Sequence, residues 1–136
     1  MVCPNDVNPM GILQGGILVQ WMDLASAICA QKHAENICVT ASIDKVSFKA
    51  PARIGDMIMI QTKITRAFRT SMEICARAWS KKVKAQKMSL INVAYFTFVA
   101  IDKNGLPTNV PELVPTTKSE KLEFINAGKR REYVIK

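Results

Sequence analysis

Apolar residues dominate a long segment near the start of the chain, from Ile17 to about Lys32. Placed on a helix, this segment is apolar on nearly every side, and its length suits about four turns. Helices of that kind are usually enclosed by the rest of the fold. Because the chain is short, the simplest enclosure is a sheet that wraps around the predicted helix.

The pattern after this helix changes to the two-residue period that is typical of strands. The segment ICVTASIDKVSF alternates as far as Ile43 and resumes on the opposite phase at Val46, which predicts a bulge at Asp44–Lys45. MIMIQTKIT and SMEICARAWS predict two further strands, and SLINVAYFTFVAI, which lacks alternation, predicts a central strand covered on both faces. One buried helix followed by four strands predicts an α+β fold.

The last part of the chain has a different character. Three prolines between residues 107 and 115 indicate an extended segment, and SEKLEFINAGKRREY then predicts a short amphipathic helix. Ser119 is the expected N-cap of that helix, and its basic end is expected to be solvated surface. We therefore divide the chain into a main domain, residues 1–105, and a proline-containing C-terminal extension with a short basic helix, residues 106–136.

The formal net charge of the 136-residue chain is +8, which favours an anionic partner such as nucleic acid, an acidic surface or a phosphorylated small molecule. The sequence has none of the RNP, zinc-finger or zipper patterns, so nucleic acid is supported by charge alone and is not the partner we expect. No apolar stretch approaches the roughly 20 residues that a bilayer requires, and no secretory signal opens the chain. We expect a cytoplasmic protein with no membrane partner.

The cysteines do not have the spacing of a zinc site, and the sequence contains only one histidine, His33. We expect four reduced thiols, mostly buried, and no metal or other cofactor; the four are Cys3, Cys29, Cys38 and Cys75. A cysteine nucleophile needs a base, and His33 is the only imidazole available. We expect His33 to be structural instead.

Three segments in order, NPMGILQGGILVQWMD, VTASIDKVSFKAPARIGD and RTSMEICARAW, resemble the hotdog-fold acyl-CoA thioesterases, in particular the acyl-CoA hydrolases of the YciA and brain acyl-CoA hydrolase type. The resemblance implies an antiparallel sheet wrapped around one long central helix. It also implies that two such sheets pair edge to edge in a homodimer, and that three dimers stack into a hexamer. Members of the family usually have a full first strand, whereas only MVCP precedes the matching region here.

The glycine pair Gly15–Gly16 lies at the predicted start of the long helix. Glycines let a ligand approach the backbone closely, and a helix start presents unpaired N–H groups and the positive end of the helix dipole. These amides would hold the oxyanion that develops when a thioester is attacked. The alternative is a plain glycine turn that packs against a strand.

Asp23 is the first charged residue after this glycine pair, and apolar neighbours surround it. Partial desolvation would strengthen its carboxylate as a general base for water, while the same carboxylate is also a candidate nucleophile; the sequence does not separate these roles. The alternative is a helix carboxylate that pairs with a basic residue at a dimer interface. The resemblance implies that Asn8 is the second active-site position, holding the attacking water or the thioester carbonyl. It also implies that Asn8 and Asp23 come from opposite subunits.

Coenzyme A carries a pyrophosphate and a 3′-phosphate, so basic groups are expected at the mouth of its pocket. The resemblance assigns CoA binding to a turn that contains Arg66, Arg69, Thr70 and Ser71. Arginine grips phosphate with two parallel hydrogen bonds, and the hydroxyl groups add donors. The alternative for this turn is an exposed basic hairpin.

The resemblance and these residues together predict an enzyme that hydrolyses acyl-CoA to a free carboxylic acid and CoA. CoA would enter as part of the substrate and not as a cofactor. A non-catalytic acyl-CoA-binding sensor on the same fold is the alternative, although a binder needs neither Asn8 nor Asp23. The length of the acyl chain is not predicted.

Overall fold

A computed structural model describes the backbone of residues 1–135 and the side chains of residues 1–132. A short 3₁₀ turn over Pro4–Asp6 is followed by a long helix and four strands, and a second helix ends the chain. The elements are α1 (Gly15–Ala34), β1 (Ile37–Phe48), β2 (Met57–Ala67), β3 (Ser71–Lys81), β4 (Ser89–Ile101) and α2 (Lys118–Ile135).

The four strands form one antiparallel sheet in the order β1-β4-β3-β2. The predicted α+β fold is confirmed, and β4 is a central strand as expected from its lack of alternation. The predicted bulge in β1 is also confirmed, because the register shifts between Asp44 and Ser47 and Lys45 has a φ of 53°. A second register shift, between Thr40 and Ser42, was not predicted.

Helix α1 packs on one face of the sheet, which we call the inner face. The core between them is made by buried residues of α1, β3 and β4, chiefly Met22, Met72, Ile74, Phe96 and Phe98. The enclosure is incomplete, since Leu24 and Ile28 of α1 are 64% and 61% exposed. In a single chain, therefore, the sheet covers one side of this apolar helix and leaves another side open.

Helix α2 packs on the opposite face of the sheet, which we call the outer face. There the side chain of Arg130 makes two hydrogen bonds to the buried Glu73 of β3, one of them 2.8 Å from Nε to Oε2. The guanidinium of Arg130 also lies 4.0 Å from the ring centroid of Tyr95, and its pKa is raised above the ordinary value, mainly by the hydrogen bonds to Glu73. The expectation that the basic end of this helix is solvated was wrong, because Arg130 docks the helix onto the sheet.

The segment that connects β4 to α2 is tied to the rest of the domain. The amides of Thr108 and Val110 donate to backbone carbonyls of the main domain, and His33 Nε2 donates to the carbonyl of Pro111 at 2.8 Å. His33 is thus structural, as expected. The N-cap of α2 is Thr117, whose Oγ1 accepts a hydrogen bond from the Glu120 amide at 3.0 Å, so the prediction of Ser119 was wrong.

The residues before α1 form short pairings instead of a regular strand. Val2 is buried and exchanges two backbone hydrogen bonds with the Gly55–Asp56 turn, each 2.9 Å long. Isolated bridges join Val7 to Leu13 and Ile12 to Arg53. These pairings hold the segment before α1 against the turn between β1 and β2.

The thiols are less buried than expected. Cys38 and Cys75 are buried, and burial raises the pKa of each thiol. Cys3 is exposed and Cys29 is half-buried, so the expectation of mostly buried thiols holds for only two of the four cysteines. Within residues 1–135, no helix is long and apolar enough to cross a membrane.

The ion pair under α2 yields a stability test. Arg130→Gln is expected to lower the free energy of unfolding by about 3 kcal/mol, because it leaves the buried Glu73 carboxylate without its charge partner. The matched change Lys63→Gln breaks the more exposed Lys63–Glu123 pair, in which Lys63 is 45% exposed, and should cost at most about 1 kcal/mol. Urea unfolding followed by circular dichroism measures both. Equal effects of the two changes would contradict a docking role for Arg130.

Candidate active site

The loop before α1 holds Asn8 in a fixed orientation. Its Oδ1 accepts hydrogen bonds from the amides of Met10 and Ile12, at 2.9 and 3.1 Å, and Gly11 completes the turn with a φ of 76°. In the described part of the chain, Asn8 Nδ2 has no hydrogen-bond partner. The side chain therefore offers a ligand a donor, because its acceptor is already used by the loop.

Helix α1 begins without a side-chain cap. The first intrahelical hydrogen bond runs from the Leu18 amide to the Gln14 carbonyl, which leaves the amides of Gly15, Gly16 and Ile17 without an intrahelical acceptor. The Gln14 side chain does not cap them and instead donates to the carbonyl of Val7 at 3.3 Å. Such a start combines free N–H groups with the positive end of the helix dipole, as an oxyanion site requires.

The two glycines at this helix start have different surroundings. A Cβ at Gly15 would lie 3.0 Å from ring carbons of Phe48 in β1, whereas a Cβ at Gly16 would meet nothing within 4 Å. The alternative interpretation of the pair, a glycine packed against a strand, therefore applies to Gly15. Gly16 faces open space, through which a ligand can reach the backbone.

An apolar cleft of about 340 Å³ opens beside this helix start. It lies between the loop, the first turn of α1 and the end of β1, and its lining includes Ile12, Leu13, Gly15, Leu18, Phe48 and Ile91. The cleft has the size and polarity to take a small apolar group.

Asp23 lies on α1 next to strand β1, where Thr40 Oγ1 donates a hydrogen bond of 2.7 Å to its Oδ1. The carboxylate is half-buried, and no Lys, Arg or His among the described side chains forms an ion pair with it. Within one chain, the interpretation of Asp23 as a paired carboxylate therefore has no support. The hydrogen bond fixes the orientation of the carboxylate and leaves Oδ2 without a partner in the described part of the chain.

Sequence reasoning missed Thr40. In β1, Val39 is 45% exposed, whereas Cys38 is buried and Thr40 contacts α1 through Asp23. Strand periodicity cannot tell which of two alternating faces meets the helix. No signal in the sequence pairs Thr40 with Asp23, which is 17 residues away.

The helix start and Asp23 are far apart within one chain. Asp23 follows Gly16 by seven residues on the same helix, which places it about 10 Å further along the axis at the usual rise of about 1.5 Å per residue. This is the separation along the axis between the two backbone positions, and the Asp23 side chain, which leans toward the helix start, shortens it only in part.

The turn assigned to CoA is only partly available to a ligand. Arg66 donates from Nη1 to the Phe124 carbonyl at 3.2 Å and lies 3.9 Å from the Phe124 ring centroid, while Ser71 Oγ accepts a hydrogen bond from Arg131 at 3.0 Å. Both contacts are with α2. The side chain of Arg69 is exposed and Thr70 is half-buried. The turn lies at the outer face, so within one chain it is not joined to Thr40 and Asp23 at the inner face.

A four-stranded antiparallel sheet packed on one long helix, with a glycine-opened helix start and a carboxylate two turns further on, defines a hotdog-fold protein of the thioesterase class. The model of the Thioesterase superfamily matches residues 10–86, and the chain belongs to that family.

Two curated relatives illustrate the similarity. The chain is 38% identical over 128 residues to the acetyl-coenzyme A thioesterase of Mus musculus, covering 94% of this chain and 23% of that protein. It is 35% identical over 133 residues to the cytosolic acyl coenzyme A thioester hydrolase of Rattus norvegicus, covering 96% of this chain and 35% of that protein. The chain thus spans about a quarter of the first relative and about a third of the second.

Solved structures agree closely with this fold. An apo-hexameric acyl-CoA thioesterase matches with a TM-score of 0.93 and 37% identity, covering 98% of this chain and 85% of that one. The acyl-CoA hydrolase of Staphylococcus aureus, solved in complex with butyryl coenzyme A, coenzyme A and coenzyme A disulfide, matches with a TM-score of 0.90 and 35% identity, covering 98% and 81%. Solved variants of that hydrolase replace an asparagine, an aspartate 15 residues later and a threonine 17 residues after the aspartate, each by alanine.

The difference between the two glycines is testable by stability alone. Gly16→Ala is expected to leave the free energy of unfolding unchanged or to raise it by up to about 1 kcal/mol, since alanine favours helix and the space is open. Gly15→Ala should give a protein about 1 kcal/mol less stable than Gly16→Ala, because its Cβ displaces the Phe48 ring. Thermal unfolding of both variants measures this difference. A larger loss for Gly16→Ala would contradict the open space at that position.

Proposed function

We propose that the protein is an acyl-CoA thioesterase, which converts acyl-CoA and water to a carboxylic acid and CoA. The observation that carries the proposal is the pairing of Asp23 with Thr40 on a fold that also presents an uncapped helix start at Gly16. Membership of the thioesterase family supports it. The names of the relatives, which are thioesterases and thioester hydrolases of CoA, support the substrate class.

Residue spacing supports the choice of site residues. Asp23 follows Asn8 by 15 residues, and Thr40 follows Asp23 by 17 residues. The asparagine, aspartate and threonine replaced in the Staphylococcus aureus hydrolase have the same two spacings. We therefore propose that Asn8, Asp23 and Thr40 of this chain occupy those three positions.

The helix start would polarise the thioester. We propose that the Gly16 amide, with Gly15 beside it, holds the carbonyl oxygen and then the oxyanion that forms from it. Asn8 Nδ2 would donate a second hydrogen bond to the same oxygen or to the attacking water, because Oδ1 is held by Met10 and Ile12. The apolar cleft beside Gly15 would receive the acyl group.

Asp23 would act on the carbonyl carbon in one of two ways. It takes a proton from a water that attacks the thioester, or its Oδ2 attacks directly and forms an anhydride that water then hydrolyses. In both routes Thr40 holds Oδ1, so that the reacting oxygen is the one without a partner. CoA leaves as the thiolate and takes up the proton that the attacking or hydrolysing water has lost, so that Asp23 returns to its carboxylate form.

The separation of Gly16 and Asp23 along α1 supports a dimer as the active form of the proposed enzyme. The backbone positions of Gly16 and Asp23 are separated by about 10 Å along α1. We propose that a complete site takes Asn8 and Gly16 from one subunit and Asp23 and Thr40 from the other, as the resemblance to the family implies. Strand β1 is a free edge of the sheet, which is where a second sheet can pair. Large apolar side chains are exposed on α1 and β1, namely Leu24, Ile28, Ile43 and Phe48.

We further propose that three such dimers form a hexamer, and the existence of hexameric thioesterases with this fold supports a six-chain assembly. The reaction needs no cofactor, since CoA is part of the substrate, and neither nucleic acid nor a membrane is a proposed partner. A cytoplasmic location is proposed by analogy with the cytosolic hydrolase of Rattus norvegicus.

The proposal predicts acyl-CoA hydrolysis that depends on Asp23. Release of free thiol from a panel of acyl-CoAs is expected with the wild-type protein and should fall at least about a hundredfold in Asp23→Ala. Gly16→Ala should lose about as much, because its Cβ blocks the approach to the amide. Asp44→Ala is the matched control. Like Asp23, Asp44 accepts a hydrogen bond from a hydroxyl group of β1, that of Ser42, but it has no proposed role.

Two outcomes would overturn this assignment. Full activity in Asp23→Ala would remove Asp23 from the reaction. Saturable binding of acyl-CoA with no turnover for any chain length would favour the non-catalytic sensor instead.

A further inference from the structure

Exposed residues recur at every fourth position along most of α1, namely Gly16, Gln20, Leu24 and Ile28. Residues four apart are neighbours on the surface of a helix, so these four residues form one stripe. Gln20 is the member of this stripe whose side chain can form hydrogen bonds. It lies one turn after Gly16, whose amide is the proposed site for the thioester carbonyl.

The side-chain amide of Gln20 is not used by the fold. Gln20 has no hydrogen-bond partner in the described part of the chain. The glutamines before and after it are occupied, since Gln14 donates to the Val7 carbonyl and Gln31 Oε1 accepts a hydrogen bond from the Cys38 amide at 3.3 Å. Gln20 therefore keeps both a donor and an acceptor for a ligand.

The direction of helix side chains brings Gln20 close to the helix start. Side chains of an α-helix lean toward its N-terminus, so the side chain of Gln20 covers the turn that contains Gly16. Glycine has no side chain, and even a Cβ at Gly16 would meet nothing within 4 Å. The amide of Gln20 can thus contact a group that lies next to a ligand at Gly16.

A thioester bound at Gly16 has two arms, the acyl group and the thiol. The apolar cleft that would receive the acyl group is lined by Gly15 and Leu18, on the side of α1 that faces the sheet. The thiol arm therefore has to leave on the opposite side of Gly16, where Gln20 is the next residue of the exposed stripe. In coenzyme A this arm carries an amide group, and two carbons separate its nitrogen from the sulfur.

We propose that Gln20 binds this first amide of the thiol arm, with its Oε1 accepting a hydrogen bond from the amide N–H. The inference rests on the proposed thioesterase function and adds to it a residue that recognises the thiol arm. Because the amide is only a few bonds from the sulfur, the contact would hold the thioester carbonyl in position against the Gly16 amide. It would also give a partner to a side-chain amide that dimer formation removes from water.

The test compares the best acyl-CoA of the substrate panel with an analogue in which an ester oxygen replaces this amide N–H. The analogue keeps the length of the thiol arm but cannot donate the hydrogen bond. For the wild-type protein, kcat/KM is expected to be at least about fivefold lower for the analogue. Gln20→Met should lower kcat/KM for the acyl-CoA at least about fivefold and should hydrolyse both compounds equally well, within about twofold.

Two further variants serve as controls. Gln20→Glu keeps an acceptor oxygen at the end of the side chain, so it should still prefer the acyl-CoA to the analogue. Gln61→Met makes the same change at an exposed glutamine of β2 that has no proposed role. It should leave the rates for both compounds unchanged within about twofold.

The ratio of the two rates separates substrate binding from a structural role. If Gln20→Met lowered both rates by the same factor, Gln20 would support the fold or the dimer, and the inference would be overturned. Equal rates of the wild-type protein on the two compounds would overturn it as well, while the thioesterase function would stand. A wild-type protein that hydrolyses no acyl-CoA would overturn the proposed function and this inference with it.

Discussion

Helix α1 carries both groups that the proposed thioester hydrolysis would use, and its geometry separates them along the helix axis. The backbone positions of Gly16 and Asp23 are separated by about two turns, or about 10 Å along the axis, and the rigid helix keeps that separation fixed. In the proposed dimer, two copies of the chain related by a twofold axis at the free edge of β1 would form two such sites. The exposed apolar residues of α1 and β1 fit this proposal, because they would be covered in the dimer. Dimer formation and catalysis are therefore one requirement in this account.

The two faces of the sheet have different tasks. The inner face is an apolar surface that holds α1, and through α1 it sets the positions of Gly16 and Asp23. The outer face carries the buried Glu73, which Arg130 pairs with and Thr65 Oγ1 also reaches at 2.6 Å. This polar arrangement fixes α2 in one position on the sheet, and an apolar contact alone would be less directional. Helix α2, fixed in this position, places Arg131 against Phe68 and Ser71 at the turn after β2.

The sequence was sufficient to predict the fold, whereas the roles of the candidate site residues stay predictions. The apolar segment after Gly16 predicted α1, and the change of phase near Asp44 predicted a bulge, because both signals are local. Thr40 was missed, since its importance comes from a contact with a helix residue and not from its own neighbours in the chain. The end of α2 was misjudged for the same reason: a lysine- and arginine-rich segment is normally solvated, and only the buried Glu73 on a distant strand makes Arg130 a docking residue.

The most direct measurement is subunit complementation between two inactive variants, Asn8→Ala and Asp23→Ala. When the two proteins are unfolded, mixed in equal amounts and refolded, about half of the dimers are mixed, and each mixed dimer contains one intact site. The account predicts recovery of roughly a quarter of the wild-type activity, because each site takes Asn8 from one subunit and Asp23 from the other. Asp23→Ala mixed with Thr40→Ala should recover none, since both residues belong to the same half of each site. No recovery in the first mixture, although mixed dimers form, would contradict a site shared between subunits.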